Sequence, residues 1–364
     1  MERDFGHRRI QRTGRGSYIV SLPKGWVQEI GLEKGDHLAL KIQDDSTLLL
    51  IPRKMLEERK LDEKPKRKEY RVLVESKEDP QSICRKIIAL YVMSADLICI
   101  RFKCREDFSK YKMPINNLIR NALWGSEITE ETPTEITIQI LINHPEFLET
   151  AIRRMATIAL SADRDAISTL KNMDQDSIQS VIDTCNDVNR LNLYVIRQLK
   201  FGLEQKLFNQ LGFKTQEFLG YRIVANDIKS IAENAMSVVN NIITFKKLNE
   251  NQIPFLKGSV NEELYSQITN FNSSSHQLFE ESLKAMFERD YQHADRLISQ
   301  IDSLTALESE LITLISTSKM DPNVLSILRL IINGSRGILK HSRNIGEATL
   351  NRTVEEISST RRQV

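Results

Sequence analysis

Four arginines fall within eight residues near the N-terminus: Arg8, Arg9, Arg12 and Arg15, interrupted by Thr13-Gly14 and followed by Gly16-Ser17. Guanidinium groups displayed on a strand and a glycine turn suit DNA, because arginine binds phosphate oxygens and also reaches the paired acceptors on a guanine edge. Lys24, at the start of a short predicted helix, adds a cation where a helix N-terminus already favours phosphate. Local composition alone is equally consistent with a merely solubilising basic tail. In the second half of the chain, Asp183 and Asp187 are spaced i and i+4, which puts both carboxylates on one helix face, as in bundle interiors that hold metal ions. Neither a nearby histidine nor a Glu-x-x-His accompanies them, so two solvated carboxylates are the simpler reading.

The remaining chemistry-bearing residues exclude more than they suggest. Four cysteines (Cys84, Cys99, Cys104, Cys185) contain no C-x-x-C pair and no zinc-finger spacing, which points to neither a disulfide framework nor a zinc site and suits the cytoplasm. Cys99 and Cys104 read as packing residues. With no P-loop, nucleophile elbow or Gly-rich dinucleotide loop, no enzymatic activity and no cofactor are expected. No apolar run approaches the ~18 residues of a membrane span, and MERDFGHRRIQR lacks the apolar core of a signal peptide, so no membrane insertion is expected.

The elements that must position these residues divide the 364-residue chain into three parts. Overall charge is nearly balanced, 51 basic against 49 acidic residues, but the balance is uneven along the chain. Through Lys68 there are 16 basic and 11 acidic residues, net +5, which leaves 35 basic and 38 acidic, net −3, downstream. In the basic head, residues 1–64, Ser17 to Leu22 alternates as a strand, Pro23 opens a short helix that Gly31 closes, and His37–Ile42 and Thr47–Ile51 flank a turn at Asp44-Asp45-Ser46. About 50 residues with two-sided apolar strands sit near the lower limit for an independent core, and dimerisation by strand exchange would supply the missing burial. Arg53 to Lys68 reads as a solvated helix end plus linker.

Residues 65–143 read as an α/β connector: strands at Tyr70–Val74, Leu97–Ile100 and Thr134–Leu141, and helices at Pro80–Met93 and Asn116–Leu123. From residue 144 onward the periodicity is helical, with breaks at Asn172–Asp174, Leu211-Gly212, Pro254–Gly258 and Asp321-Pro322, giving roughly six long helices in two sets of three, about 144–250 and 259–355. Ala225–Ala235 and Asn333–Ser342 occupy matching places in the two sets, as do Asp176–Leu191 and Asp290–Leu307, so the economical reading is an internal repeat of three-helix bundles. The expected fold class is α+β multidomain: a swapped-hairpin β-barrel dimer domain, an α/β connector and an all-α tail of tandem three-helix bundles.

The segment Arg8-Arg-Ile-Gln-Arg-Thr-Gly-Arg-Gly-Ser-Tyr-Ile-Val-Ser-Leu-Pro-Lys-Gly-Trp26, followed by Gly-Leu-Glu-Lys-Gly-Asp36, closely resembles the AbrB (SpoVT-AbrB) family of swapped-hairpin transcription factors. The resemblance implies an intertwined homodimer that binds DNA through arginines of the first strand and loop, a role that would fall on Arg8, Arg9, Arg12 and Arg15. Basic residues common inside that family's short helix are replaced around Val27 and Gln28, which narrows the implied footprint. Asp227–Ala235 and Ser335–Glu347 resemble the repeated L-E-R-I-A-D-H-A-x-N-I-A-E signature of PhoU, a family of phosphate-uptake regulators. That family's signature carboxylates can bind metal, but Lys229 with Glu233 and Arg336 with Lys340 occupy the places here. Cations where anionic oxygen ligands are needed oppose a metal cluster, so no metal is expected, and Asp183, Asp187, Asp227 and Glu233 stand as weak candidates only.

The combination resembles the archaeal-type phosphate uptake regulators. It implies control of phosphate-responsive transcription or transport, with DNA, a second copy of the chain and a phosphate transporter component or signalling protein as partners. The alternative is an adaptor that does not bind DNA, negatively regulates a phosphate ABC transporter or sensor kinase, and uses its head only to dimerise.

Overall fold

The computed structural model describes residues 6–14, 16–42, 47–54, 67–75, 78–103, 108–142, 147–172, 174–204, 217–248, 262–318 and 320–358. The chain divides into two compact units, Met1–Arg67 and Lys68–Val364.

In the first unit, β1 (Gln11–Arg12) and β2 (Tyr18–Ile19) form an antiparallel ribbon in which Arg12 lies opposite Tyr18. The expected strand through Leu22 is shorter than predicted because only these two of its residues find a ladder partner among the described residues. Pro23 precedes α1 (Lys24–Glu29), where its missing N–H costs nothing. Gly31, at φ +65°, turns the chain out of the helix. A hairpin of β3 (Leu38–Ile42) and β4 (Leu48–Pro52) follows; the turn predicted at Asp44–Ser46 lies outside the described residues. Two two-stranded ribbons cover little of each other, and among the described residues of this unit only Ile51 and Pro52 are buried. Ile10, Tyr18 and Ile42 are 71%, 72% and 80% exposed.

The second unit opens with a four-stranded sheet of β5 (Glu69–Val74), β6 (Leu97–Phe102), β7 (Ser126–Thr132) and β8 (Glu135–Ile140), in spatial order β5-β6-β8-β7. β5 and β6 are parallel, and the other pairs are antiparallel. Their connection contains α2 (Pro80–Val92), whose N-terminus is satisfied by the Asp79 carboxylate accepting from the Gln81 and Ser82 amides. The helix predicted from Asn116 instead begins at Phe108, as α3 (Phe108–Ala122), and contains Pro114. Burial of Tyr111, Ile115 and Ile119 against the sheet offsets the roughly 3 kcal/mol that an interior proline costs. β7 was not expected, since Ser-Glu-Ile-Thr-Glu-Glu-Thr carries a single apolar residue; its edge position, with a bulge between Ile128 and Glu130, is what tolerates so polar a strand.

Among the described residues six long helices follow: α4 (Leu148–Asn172), α5 (Gln175–Glu204), α6 (Glu217–Leu248), α7 (Glu262–Glu288), α8 (Tyr291–Thr317) and α9 (Pro322–Ile357). α4, α5 and α6 pack on one another, as do α7, α8 and α9; the sets meet where α6 lies against α9 and α4 against α7. One core runs through both, including Ile152, Met155, Val224, Phe271, Phe279 and Ile332. The breaks at Asn172–Asp174 and Asp321-Pro322 fall between helices, whereas those at 211–212 and 254–258 lie outside the described residues. A further break, between α7 and α8, has neither glycine nor proline. There Arg289 adopts φ +57°, and the Asp290 carboxylate caps α8 by accepting from the His293 amide. The connector seats on the helices because α2 and α3 pack against α5.

Candidate functional site

The β1–β2 ribbon presents the basic residues. Its loop closes through hydrogen bonds from the Thr13 amide to the Ser17 carbonyl (2.9 Å) and from the Gly16 amide to the Thr13 carbonyl (3.0 Å). Gly16 sits at φ +89°, which a side chain would strain. Arg12 stands on β1, Arg8 and Arg9 lie before that strand across Ile10, and Lys24 opens α1; all four are exposed. Arg15 lies outside the described residues. Arg8 donates to the His7 carbonyl (3.0 Å), and among the described residues none of the four is held in an ion pair. Asp36 is drawn the other way: the Glu33 amide donates to its carboxylate and Lys54 lies 3.4 Å away, which together hold its pKa below the usual range. These four free cations lie at the ribbon and the start of α1, where their charge is available to an anion, and Lys34 and Lys41 are likewise exposed and outside any ion pair among the described residues.

In the helical part, the carboxylates singled out by spacing do not assemble. Asp183 and Asp187 are exposed, and Asp183 accepts from Gln179 at 2.9 Å. Glu233 pairs with Lys229 one turn away at 2.6 Å. Arg336 lies 3.4 Å from Glu308, so two of the cations at signature positions have acidic neighbours within the chain. Asp227 alone of the four is nearly buried. Its Oδ2 accepts from Asn344 (3.2 Å), and its Oδ1 lies 2.8 Å from His341 Nδ1, which makes no hydrogen bond there. Among the described residues, no three His, Cys, Asp or Glu side chains gather as metal ligands.

A buried polar cluster that spacing did not single out lies where the helix sets meet. Asp163 of α4 accepts from Asn272 Nδ2 (2.8 Å) and lies 2.9 Å from His276 Nε2, both on α7, while Asn234 of α6 donates to it at 3.4 Å. Asn272 also donates to the Ser335 hydroxyl of α9 (3.0 Å). Gly334 makes room for the cluster, because a Cβ there would come 1.9 Å from Asn234 Nδ2. Beside it, the Cys185 thiol donates to the Ala232 carbonyl and is pushed up to about 11, first by burial and then by the charge of Asp163.

Comparison with protein families matches residues 11–57 to the family described as antidote-toxin recognition MazE, bacterial antitoxin, and residues 152–242 to the PhoU domain. The chain fuses a MazE/AbrB-like domain to a PhoU domain. Curated proteins and solved structures return no match. The MazE/AbrB-like match begins at Gln11, so it takes in Arg12, Lys24 and both ribbons, while Arg8 and Arg9 precede it. The PhoU domain match runs from within α4 to within α6, and therefore holds Asp163, Asn234 and Cys185. Their partners Asn272, His276 and Ser335 belong to the second helix set, so the cluster fastens the PhoU domain to the helices that follow it. Among the described residues, no helix is long and apolar enough to cross a membrane.

Proposed function

We propose that this chain is a homodimeric, cytoplasmic, DNA-binding regulator of phosphate uptake and phosphate homeostasis. The observation that carries this reading is the junction of a MazE/AbrB-like domain, with Arg8, Arg9, Arg12 and Lys24 exposed and outside any ion pair among the described residues, to a PhoU domain. In this reading the basic ribbon and its loop, including Arg15, contact phosphates and base edges, while Lys24 adds a phosphate contact. The exposed Ile10, Tyr18, Leu40, Ile42 and Leu48 are the surface that a second head would bury, doubling the cationic ribbon about a two-fold axis. The PhoU domain receives phosphate status by docking a transporter component or signalling protein, and that partner shifts DNA affinity only if it binds the DNA-competent and incompetent states unequally.

Titration of the full chain onto DNA upstream of phosphate-transport genes tests the reading. Binding is expected to weaken steeply with salt, and the combined Arg8→Ala and Arg12→Ala variant is expected to lose affinity and flatten the salt dependence. Absence of binding at low salt, or binding indifferent to the double variant, would sink it.

One observation favours a second reading. Past Lys24, α1 reads Gly-Trp-Val-Gln-Glu and presents no further cation, as suits a head that only dimerises while the tail acts as an adaptor on a phosphate transporter or sensor kinase. Under that reading the Arg8→Ala, Arg12→Ala chain would retain a transporter component in pull-down and regulate transport as the parent does.

A further inference from the structure

The two edges of the connector sheet are not alike. β7, at one edge, carries a bulge between Ile128 and Glu130 and the acidic residues Glu127, Glu130 and Glu131, features that discourage pairing with another strand. β5, at the other, reads Glu-Tyr-Arg-Val-Leu-Val, pairs with β6 in unbroken register from Glu69 to Val74, and has no bulge or proline. Among the described residues no strand lies on its outer side. Leu73, on the face away from the connector core, is 54% exposed.

The charges on that face differ in the same sense. Arg101 of β6 pairs with Glu135 of β8 at 3.0 Å, and Lys103 pairs with Glu75 at 2.8 Å. Glu69 and Arg71, alternate residues on the same face of β5, are exposed and make no ion pair among the described residues. A Glu-x-Arg strand is its own complement. Two copies related by a two-fold axis must run antiparallel, and a pairing centred on Tyr70 sets Glu69 of each opposite Arg71 of the other, on one face, with Tyr70 and Val72 kept on the helix side.

We propose that β5 is an interface strand whose occupant is β5 of a second copy of this chain, joining two connector sheets into one continuous sheet. The inference rests on the reading of the head as a dimerising domain. Sixteen residues separate Pro52 at the end of β4 from Glu69, a span of at most about 55 Å. Dimerised heads therefore hold two β5 strands at high effective concentration, so even a short ladder closes.

Hydrogen exchange on the full chain, with sedimentation at the same concentration, tests this. Every amide of residues 70–74 is expected to be protected in the dimer, where a bare edge would leave alternate amides open. Glu69→Arg is expected to speed exchange of the outward amides at least tenfold while the chain still sediments as a dimer. Glu69→Arg combined with Arg71→Glu is expected to restore protection. Fast exchange in a parent dimer, or protection unchanged by Glu69→Arg, overturns the pairing and leaves the dimerising head standing; a parent chain that sediments as a monomer overturns both.

Discussion

Asp163 and His276, 113 residues apart in sequence, meet at 2.9 Å with side chains only 2% and 5% exposed. The ring meets the carboxylate through Nε2, on the same oxygen that accepts from Asn272. Because Asp163 also accepts from Asn272 and Asn234, one side chain joins α4, α6 and α7, and Asn272 extends the set to Ser335 on α9. Removing such a hub strands its donors without water. Asp163→Ala is expected to cost about 3 to 5 kcal/mol in urea unfolding, with His276→Ala costing less because Asp163 keeps its amide donors. The double variant should lie well short of the sum of the two, and strict additivity would show that the residues do not act as a unit.

Gly334 tests the same cluster from its other side. Alanine normally improves an interior helical position by up to ~1 kcal/mol over glycine, yet here the new Cβ would lie 1.9 Å from Asn234 Nδ2 and 2.7 Å from its Cγ. Asn234 would have to turn away from Asp163. Gly334→Ala is expected to destabilise the parent by about 1 to 2 kcal/mol, and to stabilise an Asn234→Ala background. A thermal melt of the four proteins decides it, since the same sign in both backgrounds would remove the steric account.

What could be read in the sequence follows from how local each signal is. The six long helices were legible because their apolar stripes repeat over many turns, and Asp321-Pro322 announced the start of α9 through cap chemistry alone. The break at Arg289-Asp290 was marked only by the helix read from Asp290, because a left-handed arginine leaves no compositional mark. Asp163 and Asp165 look alike in Ser-Ala-Asp-Arg-Asp-Ala, but the first is buried and the second exposed. Their tertiary partners distinguish them, Asn234 on α6 and Asn272 and His276 on α7, and no spacing rule spans 113 residues. The exposed arginine ribbon was visible from Arg8, Arg9 and Arg12 together, since charge on a short turn needs no tertiary context. Asp183 and Asp187 illustrate the converse, a metal-like spacing on a solvated helix face.

Cys185 gives a pH signature. Its folded pKa of about 11 lies above the ordinary 9.0, so between these values the folded state holds a proton that the unfolded chain has released. The associated stability is fully present below about pH 9 and falls as pH rises towards 11, by roughly 2 to 3 kcal/mol in all. Cys185→Ala should flatten that part of the stability profile. In the folded parent, Cys185 should resist thiol reagents at pH 8 while the less buried Cys99 reacts; equal reactivity of the two would contradict the burial.

Arg197 fastens the connector to the PhoU domain. Fully buried on α5, it donates from Nη1 to the Tyr91 carbonyl at the end of α2 (2.7 Å), stacks over the Tyr91 ring at 5.1 Å and reaches to 3.9 Å from Asp96. Burial pulls the guanidinium pKa down, and Tyr91 and Asp96 oppose the shift. Arg197→Met keeps much of the volume but removes one of two donors to the Tyr91 carbonyl, leaving it only the Ser94 amide, at an expected cost of about 1 to 2 kcal/mol. Arg197→Lys should recover only part, because a single ammonium cannot both reach the carbonyl and stack on the ring. Hydrogen exchange localises the effect. In Arg197→Met, amides of α2 should exchange faster while those of α9, remote from this contact, keep their protection, since the connector would open without the helix sets separating. Equal acceleration in α2 and α9 would instead mean that Arg197 stabilises the unit as a whole and holds no separate joint.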